Sequence, residues 1–334
     1  MSSVHKTVTV IGATGNQGSG VVAALLTSTD FAVRAVTTDL AGRKAEALRA
    51  SHKDAIHFGR LRLVQADLDK VESLEEALRG SYGVFLASTF RPSSGSDTQQ
   101  QESLEVRQGK NLVDAAKAAG VQHLVYSALP SLAELSGGRF THAAHWESKA
   151  VVAEYAKARL PALTLLYPGF FYSNLHTPLF AQRQADQSVV FSLPVSEEAK
   201  LSWVDDRSDI GTFAAAALEA GPAVAAGKAY PVGTPGLTVP QFAAEYERAT
   251  GEKARFVRPD PDAAKARQEA VLGPEAYREL SEMWQYVSES TVDGTLVCNG
   301  TMRRENDTSH EDLGVRATTL SEYIHRTGFR VSGF

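Results

Sequence analysis

A serine, a histidine and a lysine in the first half of the chain could together move a proton. His145 and Lys149 are four residues apart in a stretch with a helical pattern, so both side chains should lie on one helix face. Ser127 ends the preceding apolar strand and could lie opposite them. Histidine changes its charge near neutral pH, which suits it to proton donation. We therefore predict that Ser127, His145 and Lys149 are catalytic.

Three glycines near the beginning of the chain have the spacing of a phosphate-binding turn. Residues 7–11 read as a strand that runs into Gly12, and a helix begins after Gly18. Glycines let the backbone approach a diphosphate, whose charge the N–H groups and dipole of a helix N-terminus stabilise. The predicted contacts are Gly12, Ala13, Thr14, Gly15, Asn16, Gln17 and Gly18. The order strand, turn and helix predicts a dinucleotide-binding site.

The elements that must position these residues alternate between strands and helices. Strands are predicted at residues 7–11, 33–37, 61–65, 84–87, 124–127 and 163–166. Helices are predicted at residues 21–26, 43–49, 74–78, 106–119 and 144–158. This alternation predicts an α/β protein with a Rossmann-type, doubly wound parallel sheet. We expect a dinucleotide-binding domain over residues 1–168 and a smaller α/β lobe for substrate or partner over residues 169–334, whose chain could cross back to the sheet.

The second half of the chain has a looser rhythm. Asp209 precedes an apolar run and is predicted to cap a helix, and Thr238 has capping-box spacing from Gln241. Residues 92–101 and 135–139 are predicted as loops at the carboxyl edge of the sheet, either plain surface or ordering over a ligand. The predicted apolar face of the last long helix, which either lines a substrate pocket or packs as core, includes Met283, Trp284 and Tyr286.

Composition excludes several classes of protein. The 334 residues carry a net charge of −5, which gives no general attraction to nucleic acid or to an anionic membrane. The one cysteine, Cys298, permits no internal disulfide and is predicted to be a buried small residue. The apolar run near the N-terminus is too short for a signal peptide. We expect a cytoplasmic protein, with the nucleus as an alternative, and no metal site.

Several motifs in order along the chain resemble the NmrA-like family, an atypical branch of the short-chain dehydrogenase/reductase superfamily. The glycine spacing is Gly-x-x-Gly-x-x-Gly, and the resemblance covers nearly the whole chain. The matching motifs are Ile11-Gly12-Ala13-Thr14-Gly15-Asn16-Gln17-Gly18, Asp67, Val106-Arg107-Gln108-Gly109-Lys110, Val125-Tyr126-Ser127, His145-Trp146-Glu147-Ser148-Lys149 and Pro168-Gly169-Phe170-Phe171-Tyr172-Ser173-Asn174. The resemblance implies a fold that binds NAD or NADP.

The resemblance also implies a set of further cofactor contacts. Lys149 would hold the nicotinamide ribose. The remaining implied contacts are Asp67 and Leu68 at the adenine, Ser88, Thr89 and Phe90 along the ribose and nicotinamide, Arg107 near the phosphates or the pocket, and Phe171, Tyr172, Ser173 and Asn174 beside the nicotinamide. For Phe171 and Tyr172, plain core packing is the alternative.

The end of the second strand bears on the choice between NAD and NADP. Asp39 is placed to bond a ribose 2′-hydroxyl, which favours NAD. Arg43 and Lys44 follow closely and could pair with a 2′-phosphate, which favours NADP. NADP-binding relatives often carry arginine where this chain has Thr38. The sequence leaves the preference undecided, with Thr38, Asp39 and Arg43 as predicted contacts.

Two functions remain open. Most short-chain reductases use Tyr-x-x-x-Lys, and here His145 stands where the tyrosine would be. The leading hypothesis is an NAD(P)H-dependent oxidoreductase acting on a small aromatic or polyketide-like carbonyl or conjugated compound. The alternative is a non-catalytic sensor of NAD(P) that reports to a regulatory protein partner, as the resemblance allows. Either form could be a monomer or a homodimer.

Overall fold

Strands and helices alternate along the first half of the chain. The computed structural model describes residues 5–88 and 103–332, so Thr89, Phe90 and the predicted loop 92–101 lie outside the described residues. The strands are β1 (Thr7–Ile11), β2 (Ala32–Thr37), β3 (Leu61–Gln65), β4 (Ser81–Ala87), β5 (His123–Ser127) and β6 (Leu163–Pro168). The helices are α1 (Asn16–Ser28), α2 (Arg43–Ser51), α3 (Lys53–His57), α4 (Val71–Leu78), α5 (Leu104–Ala118), α6 (Leu132–Leu135) and α7 (Ala144–Lys157). The predicted alternation is confirmed.

The second half of the chain contains many short strands and four longer helices. Its strands are β7 (Phe170–Phe171), β8 (Ala181–Arg183), β9 (Val189–Phe191), β10 (Lys200–Leu201), β11 (Trp203–Val204), β12 (Ala229–Val232), β13 (Leu237–Thr238), β14 (Ala254–Phe256), β15 (Leu296–Val297) and β16 (Met302–Arg303). Its α-helices are α8 (Ser208–Ala220), α9 (Pro222–Ala225), α10 (Val239–Thr250), α11 (Pro261–Leu272), α12 (Pro274–Ser290), α13 (Ser309–Leu313) and α14 (Leu320–Thr327), and short 3₁₀ helices span Tyr172–His176 and Arg304–Asn306.

A seven-stranded sheet lies at the centre of the protein. Its strand order is β12-β6-β5-β4-β1-β2-β3, and every neighbouring pair is parallel. This is the predicted Rossmann-type, doubly wound arrangement. The order reverses between β1 and β4, and ligands of such sheets bind beyond the carboxyl ends of the strands at that point.

The chain crosses back to the sheet after its first half. Strand β12 pairs with β6, and helix α8 packs against α1. A Cβ on Gly20 would lie 1.8 Å from the carbonyl oxygen of Arg207, and a Cβ on Gly211 would lie 2.5 Å from the carbonyl oxygen of Gly20. The backbones of α1 and α8 therefore touch, which only glycine permits at these positions.

Two helix starts test the predicted caps. The capping box of Thr238 with Gln241 is confirmed at the start of α10. The prediction that Asp209 caps α8 is wrong, because the helix already begins at Ser208. The side chain of Asp205 accepts the first amides instead, and the Asp209 carboxylate turns to Thr318. Among residues 5–88 and 103–332, no helix is long and apolar enough to cross a membrane.

Candidate functional site

The glycine turn has the backbone geometry that a phosphate cradle needs. Gly12 has a φ of +72°, and the N–H of Gly15 donates to its carbonyl oxygen at 2.9 Å. A Cβ on Gly18 would lie 2.2 Å from that same oxygen, so this position in the first turn of α1 accepts only glycine. Gly15 precedes α1, and no side chain caps the helix. The amides at the beginning of α1 are thus left for water or an anion.

A cavity of about 440 Å³ opens beside this turn and brings several predicted residues together. Ser127, His145 and Lys149 all line it, as does Ser88. Gln17 also lines it, and within the described part of the chain its buried Oε1 has no hydrogen-bond partner. The other residues around this first cavity are Ala128, Leu129, Pro168, Phe171, Leu272, Ala276, Glu279 and Leu280. The three predicted catalytic residues therefore share one cavity.

Lys149 is held by a carboxylate that the sequence analysis did not single out. Its Nζ lies 2.6 Å from Oε1 of Glu105, whose side chain is 1% exposed. The same carboxylate accepts from the hydroxyls of Ser88 and Ser148. Glu105 reads in the sequence as an ordinary acid in the first turn of α5. Its role depends on the packing of α5 against α7, which no local pattern reveals.

The hydroxyl of Tyr126 extends this network into the sheet. It lies 3.1 Å from the Ser88 hydroxyl, which itself donates to Glu105 at 2.5 Å. Burial raises the pKa of the Tyr126 phenol far above its usual value. Tyr126 is therefore a neutral, fixed donor that orients Ser88.

His145 is also held by a carboxylate, and this one comes from the second half of the chain. Its ring Nδ1 and its backbone N–H both contact Oε1 of Glu279 in α12, and the distance from the backbone nitrogen is 2.7 Å. Glu279 is a buried residue, 8% exposed. Two similar pairs run along the same helix, His142 with Glu282 and Arg139 with Glu289. Helix α12 thus contacts the segment before and at the beginning of α7 through three carboxylates, and of these Glu279 lines the first cavity.

A second cavity, of about 280 Å³, adjoins the first. His145 lines both, as do Leu129, Pro168, Phe171 and Leu280. Aromatic rings dominate the second cavity, with Phe170 and Trp284 centred 4.8 Å apart. Its remaining residues are Trp146, Gly169, Asn174, Phe180, Leu193, Trp203, Met283, Asn299 and Thr301. We call it the aromatic cavity.

Several polar atoms around the aromatic cavity lack partners. Among the described residues, no hydrogen bond reaches the indole nitrogens of Trp146, Trp203 and Trp284, and all three atoms are buried. Buried donors are normally satisfied, so such atoms require an explanation. A bound molecule with acceptor oxygens is one explanation that their shared location supports.

The turn after β2 contains the residues that were predicted to contact the adenosine ribose. Asp39 is exposed, and its Oδ1 accepts the N–H of Ala41 at 2.9 Å. Arg43 begins α2 and is exposed, as are Thr38 and Lys44. The acid and the two cations therefore stand together at one exposed turn. The residue that would favour NAD and the residues that would favour NADP are therefore all accessible at this turn.

The loop after β3 lies against the beginning of α5. The backbone N–H of Asp67 donates to the hydroxyl of Ser73, and the carbonyl of Leu68 accepts from the side-chain amide of Asn111 at 3.0 Å. Arg107 pairs with Asp69 at 2.9 Å and does not line either cavity. The structure thus brings Arg107 to the loop after β3, which contains Asp67 and Leu68.

The segment after β6 divides between cavity and core. Phe171 lines both cavities and Asn174 lines the aromatic one, whereas Ser173 lines neither. Tyr172 is 1% exposed, stacks on Trp203, and donates its hydroxyl to the carbonyl of Thr318. The structure places Tyr172 in the core, and core packing was the alternative to its predicted cofactor contact.

The predicted apolar face of α12 divides in the same way. Met283 and Trp284 line the aromatic cavity. Tyr286 is buried and donates to the carbonyl of Gly300 at 2.8 Å, away from both cavities. Cys298 is 2% exposed, so its predicted burial is confirmed, and burial raises the pKa of its thiol to about 12.

A parallel sheet in this strand order, with a glycine turn after its first strand, defines a Rossmann-type protein. The chain belongs to the NmrA-like family, whose family model matches residues 4–324. It is 34% identical to the NmrA-like family domain-containing oxidoreductase himF of Aspergillus japonicus over 176 residues, which cover 52% of this chain and 49% of himF. It is 30% identical to the NmrA-like family domain-containing oxidoreductase cpsB of Aspergillus campestris over 272 residues, which cover 77% of this chain and 76% of cpsB. The predicted family is confirmed.

Solved structures show the same fold. The crystal structure of NmrA, a negative transcriptional regulator, in complex with NAD matches with a TM-score of 0.73 and 21% identity, over 97% of this chain and 95% of that chain. NmrA has also been crystallised in complex with NADP. At this identity the likeness shows the fold, and the family includes both proteins named oxidoreductases and a named regulator.

Proposed function

We propose that the chain is an NAD(P)H-dependent oxidoreductase that reduces a small aromatic or polyketide-like carbonyl or conjugated compound. One observation carries the proposal: His145 lies where the cavity beside the glycine turn meets the aromatic cavity. A proton donor at that junction can reach a substrate whose other face meets the cofactor. The names of himF and cpsB as oxidoreductases support the same class of reaction.

The residues present fit a nicotinamide dinucleotide. No side chain caps α1 after the turn from Gly12 to Gly18, which leaves the first amides of the helix open, and the buried Oε1 of Gln17 has no partner among the described residues. Backbone amides at the beginning of α1 would hold the diphosphate, and Lys149 would hold the nicotinamide ribose. The NAD and NADP complexes of NmrA support this assignment for a chain of the same fold.

The chain's own groups would then orient the substrate and supply a proton. When bound, the reduced dinucleotide supplies the hydride. Apolar rings around the aromatic cavity would hold a flat substrate and exclude water, while unpartnered donors such as the indole N–H of Trp284 would bond its oxygen atoms. His145 would protonate the oxygen on which negative charge develops. Ser127, buried at the end of β5, would bond the same oxygen.

The test is binding and turnover with purified protein. NAD, NADH, NADP and NADPH are titrated by calorimetry, and oxidation of NADH and NADPH is then followed with quinones, enones and aromatic ketones. We expect turnover that falls in His145→Ala with binding preserved, and falls in Lys149→Ala with weaker binding. His142→Ala is the matched control, because His142 lies three residues away on the same segment and lines neither cavity.

The same experiment separates the alternative function. NmrA is a negative transcriptional regulator, and His145 replaces the tyrosine expected of a short-chain reductase. Tight binding that selects one dinucleotide form, with no turnover of any acceptor, would favour a sensor that reports to a protein partner. The titration also decides between NAD and NADP, since Asp39 would favour the first and Arg43 with Lys44 the second.

A further inference from the structure

We propose that Glu279 and His145 form a dyad in which Glu279 positions the imidazole that donates the proton. The inference rests on the proposed reductase function and assigns the role of the missing tyrosine to a residue pair. His145 is the catalytic residue of the pair, and Glu279 is the positioning residue. Helix α12 thereby becomes part of the active site.

The contact between the two residues fixes the imidazole in one orientation. A single carboxylate oxygen of Glu279 contacts both the backbone N–H and the ring Nδ1 of His145. An ionised carboxylate only accepts hydrogen bonds, so Nδ1 carries a hydrogen and Nε2 is the nitrogen that gains and loses the second proton. The same carboxylate stabilises the imidazolium, as the acid of a catalytic triad does.

Burial distinguishes this pair from its neighbour. The side chains of His145 and Glu279 are 21% and 11% exposed, and both residues line the first cavity. His142 and Glu282 are joined in a similar way, with Nδ1 and the backbone N–H on one carboxylate, yet His142 is 41% exposed and neither residue lines the first cavity or the aromatic cavity. The two pairs have the same residue types and differ in burial, so the pair of His142 with Glu282 serves as a control for the pair of His145 with Glu279.

Other charged groups near His145 are already engaged. Lys149, one turn further along α7, forms an ion pair with Glu105 of α5. On its own helix, Glu147 accepts from Ser131 and from the amide of Ala133. From α12, Glu282 faces His142. Among the residues that the structure describes, Glu279 is the carboxylate that contacts the ring of His145.

The proton step balances within this arrangement. As hydride adds to the substrate carbonyl carbon, the carbon–oxygen π bond breaks and its electron pair moves to oxygen. The Nε2–H bond of His145 then breaks and an O–H bond forms, which leaves a neutral imidazole with Nδ1–H on Glu279. Water returns a proton to Nε2 before the next turnover. The reductant is the nicotinamide dinucleotide of the proposed function, oxidised by two electrons.

The first test needs no activity. Nitrogen-15 spectra of the histidine rings report which ring nitrogen carries hydrogen, and His145→Ala identifies the signals of His145. We expect Nδ1–H in the neutral ring of the native protein and a shift toward Nε2–H in Glu279→Leu. Glu282→Leu should change the signals of His142 and leave those of His145 in place. A His145 ring that keeps its state in Glu279→Leu would overturn the dyad.

The second test is kinetic. In Glu279→Gln we expect kcat to fall by about tenfold or more, a part of the roughly 10²–10⁴-fold that acid–base catalysis contributes. The pH profile of kcat should also differ from that of the native protein, because the residue that orients the ring has lost its charge. Dinucleotide affinity should stay within about twofold of the native protein, and Glu282→Gln should match the native rate and pH profile.

The outcomes separate the two proposals. If native protein reduces none of the quinones, enones or ketones, the reductase function fails, whereas the spectra still decide whether Glu279 sets the ring. If native protein turns over and Glu279→Gln has the rate and pH profile of Glu282→Gln, the reductase stands and the dyad falls.

Discussion

At the scale of single residues, two glycines of the phosphate turn differ in how much room they leave for a side chain. Gly18 faces the backbone, because an added Cβ would lie 2.2 Å from the carbonyl oxygen of Gly12. Gly15 has an extended backbone with a φ of −84°, and an added Cβ would lie 3.3 Å from that same oxygen. A Cβ at Gly15 therefore requires the turn to move by only a few tenths of an ångström, and we expect a longer side chain there to enter the space that a diphosphate would occupy.

Gly15→Leu should consequently lose dinucleotide binding and keep the fold. We expect affinity to fall by more than about tenfold, or about 1.4 kcal/mol, in calorimetric titration. The thermal midpoint without ligand should change by no more than about 4 °C. Gly18→Ala is the contrasting variant, which should cost about 1–3 kcal/mol of stability through overpacking. Unchanged affinity in a folded Gly15→Leu protein would remove the basis for the cofactor site.

Glu105 is the residue on which the polar network of the first cavity depends. It holds Lys149 at 2.6 Å and bonds two hydroxyls, all at a site that is nearly closed to water. Removing one member of a buried ion pair leaves the other charge unpaired, which costs about 3–5 kcal/mol. Removing both members avoids that penalty.

Glu105→Ala should therefore be much less stable than the native protein. We expect a loss of about 3 kcal/mol in urea denaturation, with Lys149 still partly exposed to water. The double variant Glu105→Ala with Lys149→Met should recover part of the loss, since no charge is then left unpaired. Simple additivity of the two single variants would show that the pair contributes nothing to stability.

At this scale the sequence predicted the site only where a local pattern existed. Ser127, His145 and Lys149 follow from strand and helix spacing, and the structure brings all three to one cavity. Glu105 and Glu279 have no such signal, because each acts through a helix that packs from elsewhere in the chain. A polar residue on an amphipathic helix looks the same in sequence whether it faces water or another helix.

At the scale of elements, strand β5 carries a buried histidine that is not part of either cavity. His123 is fully buried, and its Nε2 lies 2.8 Å from the hydroxyl of Thr164 in β6. That hydroxyl donates to the carbonyl of Ala225, so it accepts from Nε2–H of His123. Nδ1 has no partner among the described residues. Burial lowers the pKa of His123 to about 4.

Stability should consequently fall as the pH falls. The unfolded ring takes a proton below its ordinary pKa of 6.5, while the folded ring stays neutral until about pH 4. The contribution of His123 to the free energy of unfolding is therefore fully present above pH 6.5. It is lost progressively as the pH falls to about 4. The shift corresponds to about 3 kcal/mol for a fully buried group.

Urea denaturation of His123→Leu beside the native protein checks this expectation. Carboxylates also titrate in this range, so the measured quantity is the difference between the two proteins at about pH 7 and about pH 4.5. We expect the variant to lose less stability on acidification by about 2–3 kcal/mol. His57→Leu, an exposed site in α3, is the control and should follow the native curve. Parallel curves for His123→Leu and native protein would contradict the assignment.

The sequence was most informative about elements of the first half. The strands predicted at residues 7–11 and 61–65 match β1 and β3 at both ends. In the second half, strands such as β7, β10 and β11 have two residues each, too few to produce a period. Asp209 misled because aspartate before an apolar run is typical of a cap, whereas here it bonds Thr318.

At the scale of the whole molecule, the two halves of the chain share one sheet. Helix α8 and strand β12 come from the second half, yet they cover α1 and extend the sheet beyond β6. One apolar core joins Val8 and Val21 of the first half with Ile210, Phe213 and Tyr230 of the second. A boundary at residue 168 would leave this core open.

A fragment of residues 1–168 should therefore fail to fold as a unit. Without α8 the backbone contact at Gly20 is lost, and without β12 the edge of β6 is bare. We expect no cooperative thermal transition and no dinucleotide binding from this fragment alone. Co-expression with residues 169–334 is the control and should restore both, since all core residues are then present. If residues 1–168 alone melted cooperatively and bound a dinucleotide, the first half would be an independent domain, and the contribution of α8 and β12 to its core would be dispensable.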